Sequence, residues 1–211
     1  MNYEKLEKEL KKRLKFEYCW GRKQNDEFDY LTNFIYKISS FKLLLEKIDA
    51  NLKSNPQFSD LKNYALNRWF NYWSATAVEQ LFCTHKNVKP YFNSKDKFID
   101  FYVNNIPFDH KTTVFPKGFG KSVPYAIEHK RELITWLYAN QSKQKRAHFK
   151  NRLFVVLINS RNSDEHWKLK SEILWLQKIV STYLSTFDAQ KLECFYIQNS
   201  VVKSDIIWAI K

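Results

Sequence analysis

The stretch FIDFYVNNIPFDHKTT, residues 98–113, places Asp100, Asp109 and Lys111 in two apolar runs that alternate with a period of two. A turn at Asn104-Asn105 would fold these runs into a β-hairpin. Asp100 and Asp109 then come together on one face, with Lys111 beside Asp109, while Phe108 and His110 take the other face. Two adjacent carboxylates repel unless one is protonated or a cation lies between them. A divalent metal is the economical solution. Mg²⁺, with Mn²⁺ able to replace it, suits two carboxylate oxygens plus the backbone carbonyl of His110, and completes its octahedron with water and substrate phosphate. Beside such an ion, Lys111 can orient a water, help it lose a proton, or neutralise charge developing on a phosphate. The competing reading is an exposed hairpin face where Lys111 pairs with a cross-strand carboxylate for about 0.2–1 kcal/mol. The density of Phe and Ile around the acids argues for strands covered on both faces, where an unpaired acid would be costly.

The flanking sequence supplies elements to hold this hairpin. Upstream, Leu6, Leu10 and Leu14 recur within a helix over 3–16, and Phe28, Leu31, Ile35, Ile38, Phe41, Leu45 and Ile48 predict a second helix over 27–49. Ser59 caps a third, strongly apolar helix reaching about Thr84. Downstream, KGFGKSVP leads into a helix over 124–141, and RLFVVLI reads as a central strand. Ser163 and Asp164 open a long helix over 164–186, after which LECFYI and DIIWAI read as strands. RLFVVLI, that helix and LECFYI suggest a right-handed crossover between parallel strands. The expectation is an α/β protein with a mixed central β-sheet flanked by helices, in which an N-terminal helical segment, 1–56, packs on a core domain, 57–211.

Composition narrows the class. Hydrophobic residues make up 44% and aromatics 17% of the 211 residues, too much for a disordered chain. With only 3 Gly there is no glycine-rich phosphate loop, and Cys19, Cys83 and Cys194 show no spacing for a disulfide framework or a zinc site. The charged N-terminus and the lack of a long apolar run predict a soluble, cytoplasmic protein that does not enter a membrane. A net charge of +13 favours a polyanionic partner, and nucleic acid leads. Lys117, Lys121, Lys143, Lys145, Arg146, Lys150 and Arg152 follow the hairpin and are the candidates for phosphate contact.

Together, Asp100, Asp109, His110 and Lys111 on a hairpin, with Glu79 in the preceding apolar helix segment SATAVEQLF, resemble the PD-(D/E)xK nuclease superfamily, whose core is restriction-endonuclease-like. The resemblance implies that Asp100 and Asp109 bind Mg²⁺, that Lys111 assists the attacking water, and that Glu79 completes the acidic cluster. It implies a DNA endonuclease of restriction, recombination or repair type acting on double-stranded DNA, with a homodimer as one way to cut both strands. Ile99 stands where the superfamily's name puts Pro, the second acid is Asp, and the insert at 114–150 is long. Two rival expectations are a catalytically inactive DNA-binding protein on the same scaffold within a larger complex, and an α/β interaction protein whose charge is compositional.

Overall fold

The computed structural model describes residues 1–18, 26–92, 99–140, 150–197 and 200–211. The chain divides into two compact units, one of residues 1–77 and 170–174, the other of residues 78–169 and 175–211.

The first unit is helical: α1 (Tyr3–Lys12), α2 (Glu27–Leu31), α3 (Phe41–Leu52) and the first five turns of α4 (Phe58–Cys83). Leu6 and Leu10 are buried, so the stripe on α1 is a docking face, and the helix ends in a 3₁₀ turn at Arg13–Lys15. The helix expected over 27–49 is instead broken into α2, a 3₁₀ turn at Asn33–Lys37, extended backbone at Ile38, and α3. The Phe28 carbonyl keeps its helical bond from the Thr32 N–H at 3.1 Å and accepts Thr32 Oγ1 as well at 2.6 Å. Beyond it, side chains take up carbonyls that a continuous helix would have used: Arg68 donates to the Asp29 carbonyl at 2.6 Å. The indoles of Trp69 and Trp73 donate to the carbonyls of Ile38 and Ile35, at 2.6 and 3.1 Å. Glu9 accepts the Phe41 N–H at 2.6 Å and starts α3. Ser59 lies inside α4 rather than capping it; Asn55, four residues earlier, accepts the Gln57 N–H ahead of the helix.

The second unit is built on a six-stranded sheet in the order β1-β2-β3-β4-β6-β5. Its strands are β1 (Val88–Pro90), β2 (Phe101–Val103), β3 (Ile106–Val114), β4 (Arg152–Ile158), β5 (Glu193–Ile197) and β6 (Ser200–Ile210). The β2–β3 hairpin forms as the sequence predicts. Asn104 and Asn105 have φ of 48° and 65°, and Val103 pairs with Ile106, which defines a two-residue turn of type I′ hand. β1, β2 and β3 are antiparallel, whereas β3, β4 and β6 run parallel.

Every residue of β4 is buried, as its unbroken apolar run requires. Its parallel neighbour beyond β3 is DIIWAI in β6, however, and not LECFYI. β5 lies at the sheet edge, antiparallel to β6, because Ile197 pairs with Ser200 and the chain folds straight back on itself. The long insert supplies the β3–β4 crossover: a 3₁₀ turn at Lys117–Phe119, then α5 (Val123–Glu128) and α6 (Lys130–Ala139), separated at His129. His129 has φ −113° and ψ 47°, so the helix expected over 124–141 is two helices. Likewise the helix expected over 164–186 is a 3₁₀ stretch, Ser163–Ser171, followed by α7 (Ile173–Ser185). Leu133, Ile134, Leu137 and Tyr138 of α6 pack with Phe154, Val156 and Ile158 of β4 to form the core on that face.

Candidate active site

The site lies where the β2–β3 hairpin meets the C-terminal end of α4. Asp100 stands one residue before β2, and its backbone is held from both sides. Its N–H donates to the Phe108 carbonyl at 2.9 Å, and its carbonyl accepts the Tyr91 N–H at 3.0 Å. Its carboxylate turns along the hairpin: Oδ2 accepts the His110 N–H at 2.8 Å and lies 2.7 Å from His110 Nδ1. The His110 ring is buried against Phe101 and Phe82, whose own rings stack at 4.6 Å, so the imidazole cannot swing away without opening an aromatic core. Glu79, on α4 one turn before Phe82, completes the group. Ligand atoms of Glu79, Asp100 and His110 lie within 4.8 Å of one another.

Asp109 comes from the opposite side of the β3 pleat. It accepts Arg152 Nε at 2.5 Å, and Arg152 Nη2 pairs with the same oxygen. Arg152 is buried between this carboxylate and the rings of Tyr138 and Phe154, each 5.8 Å from its guanidinium carbon. Asp109 is near enough to Asp100 for the charge of Asp100 to raise its carboxyl. Without a cation, each nevertheless has a basic partner of its own: His110 for Asp100, Arg152 for Asp109.

The electrostatics show why. Burial pushes the Glu79 carboxyl up, and the charges of Asp100 and Asp109 push it further. Burial likewise raises Asp109 against the opposing pull of Arg152. Asp100 is held below its ordinary value, since its hydrogen bonds and charge contact with His110 outweigh its own burial. Burial alone would lower the His110 pKa, but the bond to Asp100 and the charges of all three acids raise it. Asp100 and Asp109 are balanced by His110 and Arg152, whereas Glu79 has burial and the charges of two other acids against it, a repulsion that a divalent cation between Glu79 and Asp100 would relieve. Two carboxylates and an imidazole form a mixed oxygen–nitrogen donor set, softer than the all-oxygen set expected for Mg²⁺, and suited to Mn²⁺.

Lys111 is exposed, although protein atoms crowd round its ammonium. That crowding and the Arg152 guanidinium lower its pKa, while contact with water screens both effects. Of the expected phosphate contacts, Lys117 is exposed and pairs with Asp164 at 2.5 Å, and Lys121 lies over the Tyr125 ring at 5.3 Å. Lys150 is exposed, and its carbonyl accepts the Tyr138 hydroxyl at 2.7 Å. Arg152 is turned inward on Asp109, a different role from the phosphate contact expected of it. Lys143, Lys145 and Arg146 lie outside the described residues. Sequence reasoning placed His110 beside the metal through its backbone carbonyl, whereas the structure brings its ring to Asp100 and Glu79, and it missed Arg152 as the counter-ion of Asp109. That counter-ion had a visible signal, an arginine opening an otherwise wholly apolar strand, since a buried guanidinium needs a carboxylate.

Comparison of the chain with protein-family models, curated proteins and solved structures gave no match. The class of the protein therefore rests on its own geometry: an α/β unit with a mixed open sheet and a carboxylate–imidazole cluster at one hairpin.

Proposed function

We propose that the chain is a divalent-cation-dependent nuclease that hydrolyses phosphodiester bonds in DNA, resembling the PD-(D/E)xK superfamily in its site. The observation that carries this reading is the convergence of Glu79 from α4, Asp100 from the hairpin and His110 from β3 within ligand distance of one another, with Asp109 and Lys111 adjacent. Glu79, Asp100 and His110 would hold the cation, with Asp109 reaching it on release from Arg152. Bound there, the ion supplies Lewis acidity toward a phosphoryl oxygen and acidifies a water. Lys111 reaches water from the face opposite the His110 ring, so its ammonium can orient the attacking water or balance charge on the phosphate. Its lowered pKa suits it to give and take protons more readily than an ordinary lysine. Phe82 and Phe101 keep water from the His110 side and hold the imidazole in place. The net charge of +13 supports a polyanionic substrate.

Incubation of plasmid and oligonucleotide DNA with the protein in Mn²⁺, Mg²⁺ or EDTA tests the reading. Cleavage is expected with the metals, none with EDTA, and a loss of at least about 100-fold in Asp100→Asn and Lys111→Ala. Undiminished cleavage in both variants would remove the assignment. The tie between Asp109 and Arg152 favours one rival, a DNA-binding protein on the same scaffold that does not cut. That rival predicts salt-sensitive binding without cleavage in any metal.

A further inference from the structure

The sheet face that carries Asp109 and Lys111 continues past the site onto β2 and β1. Lys89, Tyr102 and Pro107 are directly opposite one another across β1, β2 and β3, so their side chains share one face. Asp109 and Lys111, two and four residues beyond Pro107, lie on that same face, as does Tyr91, two beyond Lys89. Among the described residues, α6 packs on this face over β4 and β6. On β1 and β2, Lys89 is exposed, Tyr102 half-buried, and Tyr91 meets the Tyr102 ring edge-on at 5.8 Å. Phe92 follows and is 89% exposed, an unusual state for a phenylalanine beside a catalytic hairpin. The Tyr91 N–H bonds the Asp100 carbonyl at 3.0 Å, so Tyr91 is tied to the chain beside the candidate metal ligand.

We infer that Tyr91 and Tyr102, with the exposed Phe92 at their edge, form a stacking platform for the bases of an unpaired DNA strand, with Lys89 and Lys111 meeting its phosphates beside the site. This rests on the nuclease reading for the identity of the site, and specifies its substrate as DNA with an unpaired stretch. The bases of a duplex are stacked on one another and offer no ring face to the protein, whereas an unpaired strand exposes bases that stack on aromatic side chains. Lys89 donates to the Asn105 side chain at 3.3 Å, a neutral acceptor, so an apolar partner would match the rings but bring its ammonium no counter-charge, while a polynucleotide strand satisfies both kinds of group.

The test is binding by the full chain in EDTA, so that cleavage does not enter. The probes are an oligothymidylate of about 15 nucleotides, an abasic analogue of the same length with its phosphates intact, and a blunt duplex. The oligothymidylate is expected to bind more tightly than the abasic strand by about 5- to 150-fold for each stacked base. Phe92→Ser, at a position exposed enough to leave folding untouched, and Tyr102→Leu should weaken oligothymidylate binding by a factor in that range and leave the abasic strand unaffected. Equal affinity for the two single strands, tighter binding of the duplex, or variants that bind like wild type would overturn the platform. A preserved preference for oligothymidylate with no cleavage in any metal would sustain the platform while removing the nuclease reading.

Discussion

Replacing Arg152 by Met tests how the site is held without metal. The guanidinium makes two contacts to one Asp109 oxygen, and the paired side chains are only 8% and 16% exposed. Water therefore screens the pair little, and the surface value for an ion pair, about 0–1 kcal/mol, does not apply. Removal of one partner leaves Asp109 as a buried, uncompensated acid, for which about 3–5 kcal/mol is the expected cost. For a chain of this size that is a fall in Tm of about 6–20 °C. Thermal unfolding followed by near-ultraviolet circular dichroism in EDTA measures it. Asp109→Asn added to Arg152→Met removes the stranded charge and should recover at least half the loss. Mn²⁺ should raise the Tm of Arg152→Met more than that of wild type, because the ion can take the vacated place beside Asp109. A loss below about 1 kcal/mol in the single variant, or a double variant no more stable than the single, would refute the reasoning.

Saturating Mn²⁺, at about 100 times its Kd, should stabilise the wild-type chain by about 2.7 kcal/mol and do nothing for Asp100→Asn or His110→Gln. Mg²⁺ should need higher concentrations, since one donor is an imidazole; thermal-shift titration reads both. His166 is buried, and its Nδ1 accepts the Asn159 N–H at 2.8 Å, so the ring is needed in its neutral form. Burial and the Lys117 charge lower its pKa despite Asp164. Its contribution is therefore complete above the unfolded value near 6.5 and is lost as pH falls through the lower folded value. The unfolding free energy from urea titration should drop more between pH 7.5 and pH 5 for wild type than for His166→Gln, by about 1 kcal/mol. Asn104→Ala and Asn105→Ala should each cost about 1–2 kcal/mol at their left-handed φ, whereas Asn105→Gly should be neutral or stabilising; equilibrium unfolding compares them.

The hairpin was legible because its signals are local. Asn-Asn at the turn, period-two alternation on either side and an apolar strand at 152–158 need no distant partner to be read. Helix continuity was not legible in the same way. Residues 27–49 have an unbroken helical period, yet Trp69 and Trp73, far along the chain, take the Ile38 and Ile35 carbonyls in the break between α2 and α3. The place of LECFYI was hidden for a related reason. An apolar run of that length suits an inner or an edge strand, and only pairing with β6 decides between them.

At the site the division is similar. Asp100, Asp109 and Lys111 are neighbours through strand geometry, which sequence spacing alone determines once the turn is placed. The side of the pleat on which each acid finds its counter-charge depends on tertiary packing. The rings of Phe82 and Phe101 hold His110 against Asp100, and the crossover through α6 brings β4, and with it Arg152, beside β3. Glu79 joins them because α4 packs Phe82 on Phe101. Sequence thus determined which groups with chemistry stand on the hairpin. Which of them meet, and which are neutralised from elsewhere, was decided by contacts between residues distant in the chain, where burial raises the cost of every unpaired charge.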